Sequence, residues 1–180
     1  MTQFEQAKAM FPNMPDAVFE IWLAPLIAKG GWPFTSVRQS TFNTNWQQCL
    51  DEVSLQSISI RCWTRTDVEC SLGLFHPSSA TIIQGICAAH LDDRPASIPG
   101  MSAPQVDQLL DHLRALKNGR ARDSFFRSRE FIQSAGRLYT PAVLVQEPQG
   151  YKIMDGNHRV AALFSLNASR QLHVDAWIGN

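Results

Sequence analysis

The sequence predicts an α+β fold: a small mixed sheet with packed helices, preceded by a helical N-terminal extension. Three observations carry this reading. Apolar residues recur at helical spacing in several stretches before residue 136. From Pro141 onward the pattern changes to strand, turn, strand, tight corner, Ala-rich helix and strand. No internal repeat or low-complexity run interrupts either part. A chain of 180 residues suits one domain, or one domain with a substantial extension. The division predicted is 1–100 as the extension or cover and 101–180 as the sheet-bearing domain.

Residues 1–14 show little periodicity and are expected to be only partly ordered. Asp16 is placed to cap a helix carrying Val18, Phe19, Trp22, Leu23, Leu26 and Ile27 on a broad apolar face. Pro25 lies inside that pattern and should kink or divide it, and Gly30-Gly31-Trp32-Pro33 ends it. The polar stretch Thr35–Gln48 reads as irregular or as a short helix around Trp46–Val53. Ser57–Trp63 alternates polar and apolar residues, which is a strand signal.

Ser78 or Ser79 is a cap for a helix through Ile82, Ile83, Ile86, Cys87 and His90. Asp92–Gly100, with two prolines, is the best linker. Ser102-Ala-Pro-Gln105 has capping-box spacing, and Val106, Leu109, Leu110, Leu113 and Leu116 follow at helical spacing up to Gly119. A further helix is expected over Asp123–Ala135, with Phe125, Phe126 and Ile132 on its apolar side and Gly136 as its stop. Pro141–Val145 is then a strand, Glu147–Gly150 a hairpin turn, Tyr151–Asp155 a strand and Leu172–Trp177 the last strand.

The formal net charge is zero, but it is unevenly distributed. Residues 1–100 carry six Lys/Arg against nine Asp/Glu, and residues 101–180 carry ten against seven. A mildly basic C-terminal part suits a phosphate-bearing ligand and falls short of a nucleic-acid footprint. Cys49, Cys62, Cys70 and Cys87 form no C-x-x-C pair, which argues against a zinc ribbon or a thioredoxin-type motif. With no leader pattern in Met1–Phe11 and no apolar run of membrane-spanning length, the expectation is a cytoplasmic protein with reduced thiols and no membrane partner.

The chemistry concentrates in Asp155-Gly156-Asn157-His158-Arg159. A helix start exposes unpaired N–H groups and the positive end of the macrodipole. Gly156 permits the tight turn, and Arg159 offers a planar fork suited to phosphate oxygens. The natural guest is a phosphate. Taken alone, Asp-Gly-Asn is an ordinary turn that needs no ligand. The ordered array around it is what argues for a site.

That array resembles the Asp-Gly-x-His-Arg signature of the ParB/sulfiredoxin-like superfamily, over roughly residues 125–178. The resemblance implies that Gly156, Asn157, His158 and Arg159 line a pocket for nucleotide phosphates. It implies that Asp155 orients the loop or helps to hold a metal or a substrate hydroxyl. Sulfiredoxins carry a nucleophilic Cys just before the His-Arg pair, where this chain has Asn157, which speaks against their reaction. Chromosome-partition members carry Gly-Glu-Arg-Arg at the corner and a helix-turn-helix domain after it, and neither is found in this sequence. The corner is closest to the Asp-Gly-His-His-Arg of free-serine-kinase-like and ParB-like nuclease-annotated members, with Asn157 in place of a His.

The function expected from this resemblance is binding of ATP or another nucleoside triphosphate with Mg2+. Phosphoryl transfer to a small-molecule acceptor, or hydrolysis, would follow at a catalytic set of Asp155, His158 and Glu130. Arg159 would stabilise the transferred charge, and Asp155 would be the metal ligand. Within the basic run Arg114–Arg137, Arg127 and Arg129 precede the signature at a distance that brings one of them to the phosphates, and Arg129 joins the binding set. Glu130 is the preferred general base, with Glu147 as surface and Asp67 and Glu69 as further candidates. His76, His90, His112 and His173 show no metal-ligand spacing. The alternative is a non-catalytic or nuclease-like DNA-binding module of plasmid or phage type, with the basic run on the phosphodiester backbone.

Overall fold

The computed structural model describes residues 1–30, 55–91, 101–115, 119–166 and 172–180. The fold is α+β, with helices and a four-stranded sheet. The strands are β1 (Trp63–Cys70), β2 (Ala142–Glu147), β3 (Gly150–Asp155) and β4 (Leu172–Gly179), in the order β1-β4-β2-β3. The chain divides into two compact units: Met1–Thr64 with Trp177–Asn180, and Arg65–Ala176. The expected short helix at Trp46–Val53 and the linker Asp92–Gly100 lie outside the described residues.

The first unit opens with a helix that periodicity did not reveal, α1 (Gln3–Met10). Its start is a complete capping box. Thr2 Oγ1 accepts the Glu5 N–H at 3.2 Å and the Glu5 carboxylate accepts the Thr2 N–H at 2.5 Å. The next helical stretch comprises α2 (Asp16–Val18), a π segment (Phe19–Leu23) and α3 (Ala24–Gly30). Asp16 is its first residue and Pro15 occupies the cap, so Asp16 makes no side-chain cap hydrogen bond. Pro25 was expected to kink or divide this helix. Instead the helix widens just before it, in the turn whose carbonyls a proline ring would crowd, and continues to Gly30. Phe19, Trp22, Leu23 and Ile27 are buried on its inner face.

Ser57–Trp63 is not a strand. Its first part is α4 (Leu55–Ser59), and β1 begins only at Trp63. The alternation misled because Ile58 is buried whereas Ile60 is 76 % exposed, so no single apolar face is covered. Cys62 and Asn180 exchange backbone hydrogen bonds at 3.2 and 3.0 Å, and Trp63 packs on Trp22 with ring centroids 6.2 Å apart.

In the second unit a short 3-10 turn (Leu72–Leu74) leads into α5 (Pro77–Leu91). Then follow α6 (Ala103–Ala115), α7 (Gly119–Ala135) and, after the hairpin, α8 (Asn157–Leu166). Gly119 opens α7 where it was expected to close the preceding helix. Gly136, at φ 69°, ends α7 as expected, with its N–H donated to the Ile132 carbonyl at 2.8 Å. Helices α5 and α7 both pack on α8, and their buried faces supply Ile83, Ile86, Phe125, Ile132 and Val160.

The hairpin β2–β3 is antiparallel, with Glu147 opposite Gly150. The outer edge of β3 is closed rather than left bare, as edge strands require. The His76 N–H bonds the Tyr151 carbonyl at 2.8 Å, and the Ile153 N–H bonds the buried Ser79 Oγ at 2.9 Å. Ser79 therefore serves the sheet rather than the start of α5. The His76 Nδ1 accepts the Ser78 N–H there at 3.3 Å. Gly150 is required at this crossing: its φ is 118°, and a Cβ would stand 2.5 Å from the Leu74 carbonyl oxygen. Among the described residues no helix is long and apolar enough to cross a membrane.

Candidate functional site

The Asp155–Arg159 corner sits where β3 turns into α8. The β2–β3 register shifts at the end of the hairpin: Val143 pairs with Asp155 and Leu144 with Ile153, so Met154 is an extra residue on β3. Such a bulge bends its strand and re-aims side chains there. Gly156 then turns the chain at φ 101° and accepts the first helical hydrogen bond, from the Val160 N–H at 2.9 Å. A glycine cap brings no side-chain acceptor, so the first-turn N–H groups of α8 receive none from it.

Arg159 is drawn back over this turn. Its Nη2 donates to Asp155 Oδ2 at 2.7 Å and to the Pro141 carbonyl at 3.2 Å. Its guanidinium carbon lies 5.8 Å from the centroid of the Tyr139 ring. The Arg159 side chain is only 14 % exposed. Gly156 is what admits it, because a Cβ there would come within 3.0 Å of Arg159 Nη2.

Ser124, Met154, Asp155, Gly156, Asn157, His158 and Arg159 enclose a pocket of about 220 Å³. Two buried polar atoms of its lining residues, Asn157 Oδ1 and Arg159 Nε, have no hydrogen-bond partner among the described residues. Buried polar groups are ordinarily satisfied, so the Arg159 Nε–H is open to an acceptor and Asn157 Oδ1 to a donor.

His158 belongs to this lining and also to a ring cluster. Its imidazole centroid is 5.8 Å from that of His90 on α5, and His90 in turn lies 4.9 Å from Phe125 on α7. Burial first, then the neighbouring His90 and Arg159, hold the His158 pKa down at about 4. Burial and Arg122 lower His90 as well. At neutral pH His158 is therefore an uncharged imidazole.

The structure brings together Asp155, Gly156, Asn157, His158 and Arg159, five of the seven residues expected at the site. It does not bring Glu130 or Arg129 into the pocket lining. Glu130 is exposed on α7. Arg129 is half-buried near Cys87, whose thiol is pushed up to about 11 by burial despite the Arg129 charge. Arg127 is exposed and Arg122 stacks on Phe126, at 5.6 Å from its centroid. Sequence reasoning missed Ser124 and His90. Both reach the corner through helix packing, and no local pattern marks either.

No protein-family model matches the chain, and no curated protein or solved structure does either. The resemblance to the ParB/sulfiredoxin-like superfamily thus rests on the residues of the corner and its frame.

Proposed function

We propose that the Gly156–Arg159 corner binds a phosphate group, and that the ligand carrying it is a nucleoside triphosphate, as in a ParB/sulfiredoxin-like protein. The observation that carries this reading is the buried Arg159 Nε–H, a donor with no partner among the described residues, on a residue lining a small pocket at a helix start. The helix N-terminus and a pre-positioned guanidinium both favour an anion there. A volume of about 220 Å³ is below the roughly 300–1,000 Å³ usual for a whole small-molecule ligand. The pocket therefore suits the phosphate end, with the nucleoside resting outside it.

Asp155 is the carboxylate of the lining and the residue that would hold Mg2+, which is commonly bound by one or two carboxylates together with phosphate oxygens. The metal would supply neutralisation of phosphate charge. Asp155 already has Oδ2 engaged by Arg159, so its first task is to hold that guanidinium. Among the described residues no group of three or more His, Cys, Asp or Glu gathers around a metal site. Phosphotransfer or hydrolysis would need a base within hydrogen-bond reach of the acceptor. The exposed Glu130 lies outside the pocket lining, so the geometry supports binding more directly than turnover.

Thermal-shift titration with sulfate, ATP, CTP and their diphosphates, with and without Mg2+, tests this reading on wild type, Arg159→Lys and Arg159→Ala. A ligand at a hundredfold its Kd adds about 2.7 kcal/mol. A shift lost in both variants is the expected result. Undiminished affinity in Arg159→Ala overturns the site, and a flat response to every anion overturns phosphate binding. A response to duplex DNA alone would move the function to the nucleic-acid alternative.

A further inference from the structure

A second feature lies in the first unit and is independent of the phosphate corner. Between α1 and the stretch Asp16–Ala24 runs a trough of about 690 Å³ with an apolar floor of Phe4, Ala9, Pro12, Phe19 and Ala24. Phe4 is 43 % exposed, and Met10 on the same helix is 46 % exposed. A partly bare aromatic ring on a helix of eight residues is unfavourable to leave in water.

The rim is charged, and its charges are not balanced. It carries Glu5, Asp16 and Glu20 against one base, Lys8, which leaves a net charge of −2. Lys8 is held within the unit: its Nζ pairs with Asp16, donates to the Met14 carbonyl at 3.4 Å and lies 5.2 Å from the Phe19 ring centroid. The acidic charge offered outward is thus that of Glu20 and of the Glu5 carboxylate, one oxygen of which also accepts the Thr2 N–H; both residues are exposed. Phe19 and Glu20 also belong to the π segment, Phe19–Leu23. The π segment that accommodates Pro25 thus supplies both a floor residue and a rim residue.

We infer that this trough receives the apolar face of an amphipathic helix from a partner protein, with Lys or Arg residues along the flanks of that helix. Such a helix lays its i, i+3, i+4 and i+7 side chains into a groove, and its basic flanks meet Glu5 and Glu20. The same charges select against two other occupants. A second copy docked through this surface by a two-fold axis would set acidic rim on acidic rim. An anionic bilayer attracts basic segments and repels this rim.

The test is fluorescence anisotropy of the full chain with two labelled peptides of about 18 residues, or five helical turns. Both carry Leu on one face, and they carry Lys or Glu on the other. The Lys peptide is expected to bind saturably and about tenfold or more tighter than the Glu peptide, with the difference shrinking as salt screens it. Glu20→Lys, which brings the rim to zero net charge, should abolish the preference. Phe4→Ser should weaken the Lys peptide by about tenfold, with unfolding midpoints verifying that both variants remain folded. Equal binding of the two peptides, or no effect of either substitution, overturns the proposal. No binding by the full chain does so too, and is the result expected if another part of the chain fills the trough. Self-association abolished by Phe4→Ser assigns the trough to a second copy, and phosphatidylglycerol vesicle binding abolished by it assigns the trough to lipid. Either result overturns the helix.

Discussion

Asp155 and Arg159 clasp each other across the start of α8, with Nη2 and Oδ2 2.7 Å apart and one helical turn between the residues. The pair holds the guanidinium of the pocket lining in place before any ligand arrives, and an anion then binds without having to order it. Asp155→Ala leaves a guanidinium that is 14 % exposed without its carboxylate, and should lower unfolding free energy by about 1–3 kcal/mol. Urea melts measure this. Asp155→Asn separates the two roles of the residue. If Asp155 only holds Arg159, sulfate affinity stays or rises, because the pocket gains positive charge. If Asp155 ligates Mg2+, the magnesium-dependent part of ATP binding disappears while sulfate binding remains.

Gly156 and Gly136 make an internal comparison. Both have positive φ, at 101° and 69°, but a Cβ on Gly156 meets Arg159 Nη2 at 3.0 Å and Ala142 Cα at 3.4 Å, whereas on Gly136 it meets nothing within 4 Å. Gly136→Ala should therefore cost only the left-handed backbone penalty, about 1–2 kcal/mol. Gly156→Ala should cost more, toward the upper end of about 1–3 kcal/mol for a strained backbone position. It should also weaken sulfate binding, since Arg159 must shift. Equal losses in the two variants, with unchanged sulfate affinity, would show that the corner tolerates a side chain.

What was legible in the sequence follows from how local each feature is. The hairpin, the corner and α8 lie within one continuous stretch, and Gly150 and Gly156 mark its two turns, so their order could be read directly. The capping box at Thr2 and Glu5 was equally local, but α1 has few buried residues and its apolar periodicity is poor. β1 escaped because Val68 is buried while Thr64, Arg65, Thr66 and Asp67 are exposed, which is the pattern of an edge strand and not of a half-buried one. At the pocket, Asp155 through Arg159 came from the local motif. Ser124 in the lining and His90 beside the His158 ring came from the packing of α7 and α5 on α8, which no spacing in the chain encodes.

Ser79 gives a prediction about the sheet edge. Its hydroxyl is buried and receives the Ile153 N–H at 2.9 Å. Ser79→Ala removes the acceptor and leaves that N–H unpaired, at a cost of about 1–3 kcal/mol. Hydrogen exchange is the sharper measurement. Protection should fall at Ile153 by more than at Leu144, its neighbour in β2, if the hydroxyl is what closes the edge.

His158 gives the pH dependence. Its pKa in the folded state is about 4, below the ordinary histidine value of 6.5. Above pH 6.5 the ring is neutral in both folded and unfolded chains, and its burial carries no proton penalty. As pH falls from 6.5 to 4, the unfolded chain takes up a proton that the folded chain refuses, so stability falls with pH through this window and levels off below it. The full effect is roughly 3 kcal/mol, and the lowered His90 acts in the same direction. His158→Gln removes this component and keeps the others, so urea unfolding at pH 7 and pH 4.5 should show a smaller loss in the variant than in wild type. Parallel losses would mean that His158 titrates as a solvated ring. Sulfate adds a second check. A bound dianion favours the imidazolium, so sulfate should stabilise wild type more at pH 5 than at pH 7, and should stabilise His158→Gln to the same extent at both.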